Sequence, residues 1–263
     1  MRLILAVILF VLGGLNAFAD IKGDWKFPSD IAAYEGKVYV VDGLNDRVLV
    51  YTEDGREVNE IRVPSPYGIY VNDKGIFLTS QKGYVYVVKD GEVKKFKVEG
   101  RPIDVVELDG KLYVTDGKTQ SVDVYDLKGN LEKKFGSKGS APGEFVGIFS
   151  IATDGRVLYV VDSINGRIQE FTPQGKFVRV FGVFGIEEGD LFRPKGVAIL
   201  GKDVVVSDCI TGAVQLFNKY GAFLKVIAKG VDYPIAVAAD GEKVFVLEPR
   251  QGKVLTFRVQ GVK

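Results

Sequence analysis

The sequence contains no histidine, and this absence removes several kinds of chemistry. Its 263 residues also include a single cysteine, Cys209. Histidine is a common general base and zinc ligand, and it completes Ser-His and Cys-His nucleophile pairs. One cysteine cannot form an internal disulfide, and we interpret Cys209 as a small, half-buried residue at a strand end rather than as a reactive thiol. Histidine-dependent catalysis and disulfide stabilisation are therefore excluded.

Charge excess and helical periodicity are also missing. The chain has 35 basic and 34 acidic residues, a formal net charge of +1. Bulk charge therefore gives no reason to expect nucleic acid or an anionic surface as a partner. Beyond the N-terminal leader, no segment repeats apolar residues at helical spacing. Glycine, in contrast, is abundant, with 32 residues, and this predicts many tight turns between strands.

The first 19 residues have the pattern of a secretory leader. Arg2 gives a basic start, Leu3–Leu12 an apolar run, and Ala17-Phe18-Ala19 a cleavage motif before Asp20. The apolar run is short for a membrane span of about 20 residues. We predict a signal peptide at residues 1–19, a single domain at residues 20–263, and export to the periplasm or outside the cell. The alternative is an uncleaved leader that anchors the protein in the membrane.

A pair of strands recurs six times along the rest of the chain. Two examples are VYVVDGLNDRVLVY at 38–51 and LYVVDSINGRIQEF at 158–171. In each unit the first of these strands ends in an acidic or small residue, and these residues recur every 36 to 46 positions. Such intervals are typical of propeller blades. The aligned residues are Asp42, Ser80, Asp116, Asp162, Asp208 and Glu248.

Each unit opens with a further apolar strand, in most cases just after a proline, and a turn leads from the third strand to a fourth. The sixth unit lacks residues for a fourth strand, because only Gln260–Lys263 follow its third. We predict that the N-terminal segment at about residues 21–27 fills this place and closes the ring, with Trp25 packed between blades. The predicted fold is all-β, a six-bladed β-propeller of four-stranded antiparallel blades.

The repeat resembles the NHL repeat. Blade 4 carries the resemblance best, from Val161 through Arg167 to Phe171, and blade 1 carries it from Val41 to Val48. The resemblance covers residues 21–263 and weakens in blade 2, where Ser80 replaces the acid, and in blade 6, at Glu248-Pro249. Membership would imply a six-bladed propeller, but a fold shared by diverse proteins does not specify an activity.

Enzymes on similar propellers set limits on catalysis. The amidating lyase related to NHL repeats and the streptogramin lyases use histidine, which this chain lacks. Gluconolactonase-like propellers hold calcium with Glu, Asn and Asp in the channel. Asp30 and Asp104 are candidate ligands here, although the blade starts offer no matching Glu or Asn. A calcium-dependent lactonase or esterase-like hydrolase, with metal at Asp30 and Asp104, is the alternative hypothesis.

The mouth of the central channel is the expected binding surface. In such propellers the starts of the first strands, the loops between second and third strands and the inter-blade linkers share one face. Asp30 and Asp104 have a plainer interpretation as acceptors of backbone hydrogen bonds in turns. The residues predicted to line the mouth are Asp30, Tyr67, Asp104, Ser150, Lys195 and Ile235, with Arg101 and Arg193 just outside.

The repeated acids receive a structural interpretation. A residue that recurs once per blade is more often architectural than catalytic, since its carboxylate can accept backbone N–H groups of the next loop or pair with an arginine of the same blade. Arg47 and Arg167 are in position for such pairs. The structural repeat acids are Asp42, Asp116, Asp162, Asp208 and Glu248.

These observations favour a non-catalytic scaffold that binds a protein, peptide or other ligand through the channel mouth. We predict no catalytic residues, no cofactor, no stable membrane span after cleavage, a monomer, and a partner in the cell envelope or outside the cell. RNA binding, as in some intracellular NHL domains, is disfavoured by the leader and the balanced charge. Four linker aromatics are candidate anchors unless they pack between blades: Phe145, Phe149, Phe184 and Phe192.

Overall fold

Six four-stranded antiparallel sheets form the molecule and make it a β-propeller. A computed structural model describes residues 20–261. The predicted signal peptide at residues 1–19 lies outside the described residues. Within them, helical structure is confined to two single 3-10 turns, Gly43–Asn45 and Pro249–Gln251. No helix in this part of the chain combines the length and the apolar character that crossing a membrane requires.

The first three complete blades follow one another along the chain, and each runs from an inner strand outwards in sequence order. Blade 1 consists of β2 (Pro28–Tyr34), β3 (Lys37–Asp42), β4 (Arg47–Thr52) and β5 (Glu57–Arg62). Blade 2 consists of β6 (Pro66–Asn72), β7 (Gly75–Ser80), β8 (Tyr84–Lys89) and β9 (Glu92–Lys97). Blade 3 consists of β10 (Pro102–Leu108), β11 (Lys111–Asp116), β12 (Ser121–Asp126) and β13 (Leu131–Phe135).

Blades 4 and 5 repeat this order after longer linkers. The linker into blade 4 contains a short parallel pair, β14 (Ser137–Lys138) and β15 (Glu144–Phe145). Blade 4 consists of β16 (Ile148–Thr153), β17 (Leu158–Asp162), β18 (Arg167–Phe171) and β19 (Phe177–Phe181). Blade 5 consists of β20 (Pro194–Leu200), β21 (Asp203–Asp208), β22 (Ala213–Phe217) and β23 (Phe223–Ala228).

Blade 6 is completed by the N-terminus, as predicted. Its strands are β24 (Ala236–Asp240), β25 (Lys243–Glu248), β26 (Lys253–Arg258) and, at the outer edge, β1 (Ile21–Lys22). The pairing is shorter than the predicted segment at residues 21–27, because only Ile21 and Lys22 pair in register with β26. Trp25 turns inwards instead, where its indole N–H donates to the Tyr51 hydroxyl at 3.0 Å.

The core lies between neighbouring blades. Within residues 20–261, six clusters of buried apolar side chains each join two adjacent blades. Strand β3 shows why its sequence is almost wholly apolar: Val38 and Val40 pack towards blade 6, whereas Tyr39 and Val41 pack towards blade 2. Alternate side chains of a strand point to opposite faces, so a sheet covered on both faces needs apolar residues at every position.

Candidate functional site

A cavity of about 690 Å³ opens at one end of the channel, and we call it the mouth cavity. This volume is typical of small-ligand sites. Its wall comes from the starts of the inner strands, the linkers before them and the loops between second and third strands. The lining residues are Phe27, Tyr67, Gln81, Arg101, Pro102, Ile103, Gln120, Gly147, Ile148, Phe149, Ser163, Ile164, Arg193, Lys195, Cys209, Ile210 and Tyr233.

The residue immediately before the first strand supplies the outer ring of this cavity. Four blades contribute it, and blade 6 contributes Tyr233, three positions before β24; proline follows four of these five residues. Sequence reasoning placed only the two arginines near the mouth and missed the aromatic members. The signal that finds them is the short segment just before the first strand of a blade, in most cases the residue before a proline, and it is occupied by Phe27, Arg101, Gly147, Arg193 and Tyr233.

The predicted mouth residues divide between two depths. Tyr67, Arg101, Arg193 and Lys195 line the mouth cavity. Asp30, Asp104, Ser150 and Ile235 lie below it around a neck of about 10 Å³. A second cavity of about 150 Å³, which Asp30, Asp104 and Ser150 also line, continues along the channel. Asp30, Asp104 and Ser150 lie deeper because each is one position further along its strand than the position that Tyr67 and Lys195 occupy in their blades, whereas Ile235 shares that position and still lines only the neck.

Asp30 and Asp104 hold neighbouring blades together at the neck. Ile69 of blade 2 donates its N–H to Asp30 Oδ2 at 2.9 Å, and Ile151 of blade 4 donates to Asp104 Oδ2 at 2.9 Å. The other oxygens accept the N–H groups of Ile31 and Val105, each at 2.8 Å. Both carboxyl groups therefore accept backbone hydrogen bonds, which is the role that the sequence analysis set against calcium binding.

The two aspartates also have raised pKa values, and each carboxyl group affects the other. Burial raises the pKa of Asp30 well above its usual value, and the nearby Asp104 raises it further. Burial raises the pKa of Asp104 to about 6, although the N–H groups of Ile151 and Val105 oppose the shift. Two carboxyl groups in one desolvated site cannot both ionise easily. The pair therefore keeps a proton at pH values where an exposed aspartate is ionised.

This geometry bears on the calcium alternative. Calcium prefers six to eight oxygen ligands, among them ionised carboxylates. At the neck, each carboxylate oxygen of Asp30 and Asp104 already accepts a backbone N–H. No group of three or more His, Cys, Asp or Glu side chains suited to a metal occurs among residues 20–261. Binding calcium at the neck would require both carboxyl groups to ionise and to coordinate through the lone pairs that these N–H groups leave free.

Lys195 is a partly buried cation of the mouth cavity. Its ammonium nitrogen lies 3.8 Å from the centroid of the Phe149 ring, which is a cation–π contact. Burial lowers the pKa of Lys195, the neighbouring Cys209 opposes that shift, and Arg193 and Arg101 lower it further. Burial raises the pKa of Cys209. The thiol is therefore disfavoured as a nucleophile, and the dominant charge of the cavity is positive.

The repeat acids attach each linker to its blade. Asp42, Asp162, Asp208 and Glu248 each accept the N–H of the residue sixteen positions earlier, and Asp116 accepts that of Arg101. Asp162 also receives Arg167 Nε at 2.7 Å, and Asp42 receives Arg47 Nε at 2.8 Å. These contacts have the form that the structural interpretation requires.

Blade 2 departs from this pattern for a local reason. The residue sixteen positions before Ser80 is Pro64, which has no backbone N–H. The Ser80 hydroxyl instead donates to the Pro64 carbonyl at 2.8 Å. The other blades use a carboxylate that accepts a hydrogen bond from a linker N–H. In blade 2 the linker presents a carbonyl oxygen, so a serine hydroxyl that can donate takes the place of the carboxylate.

The four linker aromatics have different environments. Phe145 is fully buried in the cluster between blades 3 and 4, so it is not available as an anchor. Phe184 is exposed and stacks at 4.9 Å on the half-buried Phe192. Of the four, only Phe149 lines the mouth cavity. Packing between blades therefore accounts for Phe145, and Phe149 alone stays a candidate contact within the cavity.

Comparison with known proteins supports the fold. A family model described as a 6-bladed beta-propeller matches residues 96–181. No curated protein matches the sequence significantly. A structural genomics protein of unknown function from Bacteroides thetaiotaomicron aligns with a TM-score of 0.72 and 16% identity, over 92% of this chain and 73% of that one.

Two further similar structures are of virginiamycin B lyase from Staphylococcus aureus. The selenomethionine-substituted enzyme aligns with a TM-score of 0.68 and 16% identity, over 94% of this chain and 99% of the other. A catalytically inactive histidine-to-alanine variant, crystallised with quinupristin, aligns with a TM-score of 0.68 and 14% identity, over 95% of this chain and 90% of the other. At these identities the likeness extends to the fold, and the chain is therefore similar to six-bladed propellers.

Proposed function

We propose that this protein is an exported, non-catalytic propeller of the NHL type that binds a protein or peptide through its mouth cavity. The observation that carries the proposal is the cavity itself, about 690 Å³ in volume and lined by Tyr67, Phe149, Arg193 and Lys195 together. A concave site that combines aromatic surface with a few polar groups is the usual form of a ligand site.

The lack of histidine supports a role other than that of the similar lyase. The variant of that lyase described as catalytically inactive carries a histidine-to-alanine change. This chain contains no histidine at any position. Burial raises the pKa of the remaining candidate thiol, Cys209, and so disfavours the thiolate that would act as a nucleophile. Binding without turnover is the function that these groups support best.

Assignment to NHL repeats and export both rest on the sequence. The asparagine and arginine of the repeat in blade 4, Asn165 and Arg167, both bond to Asp162, and Asn45 and Arg47 bond to Asp42 in blade 1. This use of the motif supports a repeat of the NHL kind. The leader at residues 1–19 supports export, and its cleavage would leave a mature protein that begins at Asp20.

Selection of peptides from a random library tests the proposal. The full chain, processed by a bacterial host, is immobilised and panned against random dodecapeptides. We expect selected peptides to bind wild-type protein and to lose at least about ten-fold in affinity against Tyr67→Ala combined with Phe149→Ala. Lys37→Ala, in a separate cleft between blades 1 and 2, is the control and should leave affinity unchanged.

Two results would overturn the proposal. One is a set of selected peptides whose affinity does not respond to the cavity variants. The other is stoichiometric calcium in the purified protein together with hydrolysis of a lactone or ester that Asp104→Asn abolishes. An intact mass that begins at Met1 would overturn the export assignment in favour of the anchored alternative.

A further inference from the structure

The three cations of the mouth cavity have no acidic partner within the described chain. Arg101, Arg193 and Lys195 take part in none of the ion pairs formed among residues 20–261. The described residues that line the cavity include no aspartate and no glutamate. Three like charges around one concavity repel one another, and an anion placed between them would remove that repulsion.

The nearest repeat acids hold the arginines by their backbones rather than by their side chains. Asp116 accepts the backbone N–H of Arg101 at 2.9 Å, and Asp208 accepts that of Arg193 at 2.7 Å. Both acids are buried. These carboxylates thus hold the backbone of the two arginines and do not pair with the guanidinium groups.

The side chains of both arginines keep hydrogen-bonding capacity. Arg101 Nη2 contacts the carbonyl of Gly117 at 3.4 Å, and Arg193 Nη1 donates to the carbonyl of Phe192 at 3.0 Å. A guanidinium group has five N–H donors in a planar fork that matches a carboxylate. Several donors of each arginine therefore stay available to a ligand.

Apolar surface surrounds these charges. Phe27, Ile164 and Ile210 line the cavity and are 53%, 49% and 58% exposed. Tyr67 and Tyr233 add aromatic area to the same wall. A small inorganic anion would contact the cations but leave this surface in water, whereas an anion attached to an apolar group would cover both.

We propose that the mouth cavity recognises a carboxylate carried on an aromatic or aliphatic group, as an acidic peptide segment presents it. This inference rests on the proposed function and specifies its ligand. The carboxylate lies between Arg101, Arg193 and Lys195, and the apolar group covers the isoleucines and aromatic rings of the wall. Arginine forks also bind phosphate, so a phosphate ion is the natural competitor to test.

A matched pair of small probes tests this chemistry without knowledge of the natural partner. The full chain is titrated by calorimetry with N-acetyl-phenylalanine, with its neutral primary amide, and with inorganic phosphate, each up to about 20 mM. We expect the carboxylate to bind saturably, and the amide and phosphate to bind at least about ten-fold more weakly. Added salt should lower the affinity for the carboxylate.

Substitutions locate the binding. Lys195→Met and Arg193→Gln should each lower the affinity for the carboxylate about ten-fold. Circular dichroism checks that each variant is folded. Lys202→Met is the control, because Lys202 is exposed in the hairpin between β20 and β21, away from the cavity. Unchanged affinity in the cavity variants, or equal loss in the control, would contradict the proposal.

The remaining outcomes separate this inference from the proposed function. Equal binding of acid and amide, or phosphate as tight as the aromatic acid, would overturn the carboxylate assignment. Absence of binding by all three probes would also overturn it. In each of these cases the proposed function stands if library peptides still depend on Tyr67 and Phe149, and it fails only if they do not.

Discussion

Single residues at the channel show how position, rather than residue type, sets the role of a charged group. Arg193 and Asp208 lie in the same blade, yet the acid faces a backbone N–H and the arginine faces the cavity. Asp30 and Asp104, one level deeper, are enclosed and keep a proton, because burial raises the pKa of both. The cations of the mouth therefore lie next to an aspartate pair that keeps a proton, and the two sets of groups do not neutralise each other.

The aspartate pair should make stability depend on pH. Asp104 titrates at about 6 in the folded protein, whereas its unperturbed value is 3.8. Between these values the unfolded chain binds fewer protons than the folded one, so stability falls as pH rises through this window. Asp30 acts in the same direction. We expect Asp104→Asn to reduce this fall, measured as melting temperature between about pH 4 and pH 7.

Two features make that measurement decisive. Asp24→Asn is the control, because Asp24 is exposed near the N-terminus, and its melting curve should follow that of the wild type at every pH. The asparagine at position 104 also loses one acceptor, so the variant should be less stable throughout. Parallel curves for Asp104→Asn and wild type would show that the carboxyl does not titrate as described.

At the scale of the element, the linker and the end of the second strand form one unit in each blade. The acid accepts an N–H from the linker residue sixteen positions earlier in blades 1, 4, 5 and 6. Blade 2 uses Ser80 because Pro64 presents a carbonyl and no N–H. Ser80 departs from the repeat, but it does so together with Pro64, and the two residues keep a hydrogen bond between linker and strand.

Ser80→Asp should consequently destabilise the protein, although it restores the residue type of the other blades. The new carboxylate would be buried beside the Pro64 carbonyl, and we expect a loss of about 3 kcal/mol. For a domain of this size that corresponds to a fall of about 6–12 °C in melting temperature.

A double-mutant cycle separates this cause from simple crowding. Pro64→Ala supplies an N–H at the position where the other blades have one, so Ser80→Asp should cost at least about 1 kcal/mol less in the Pro64→Ala background. The measurement is the free energy of unfolding of all four proteins in urea. Equal costs in the two backgrounds would show that Pro64 is not the reason for the serine.

For the whole molecule, ring closure depends on a very short strand. Ile21 and Lys22 are the only residues of β1, and they pair with Val254 and Lys253 of β26. Ile21 is fully buried in the cluster between blades 6 and 1, which also contains Trp25. Most of the closure energy therefore comes from side-chain burial rather than from the two paired residues.

Neighbouring substitutions in β1 test this division. Ile21→Ala should lower the free energy of unfolding by about 2–4 kcal/mol, because it removes buried volume at the seam. Lys22→Ala, at an exposed position of the same strand, should change it by less than about 0.5 kcal/mol. Urea unfolding followed by the fluorescence of Trp25, the single tryptophan, measures both.

A similar loss in both variants would mean that the backbone pairing of β1, rather than the buried Ile21 side chain, closes the ring. A Trp25 signal that changes before the circular dichroism signal would mean that the seam opens as a separate step. Coincident transitions are expected of a cooperative ring.

The sequence by itself determined the six repeats, the four-stranded blades and the completion of blade 6 by the N-terminus. It could do so because the causes are local: residue alternation within strands such as β3, turn residues between them, and an acid at a fixed place in the repeat. Blade 6 takes its first three strands from the C-terminal part of the described chain, and Ile21 and Lys22 supply the fourth.

The tertiary structure was needed to show which residues of the six blade starts meet, and at what depth. Arg101 and Arg193 come from different blades and converge on one cavity, while Asp30 and Asp104 meet one level below. Along the inner strand of blade 3, Pro102 lines the mouth and Asp104, two positions later, lines the neck. Depth and the resulting pKa shifts depend on how the closed ring arranges all six strands, and this arrangement is not encoded within any one repeat.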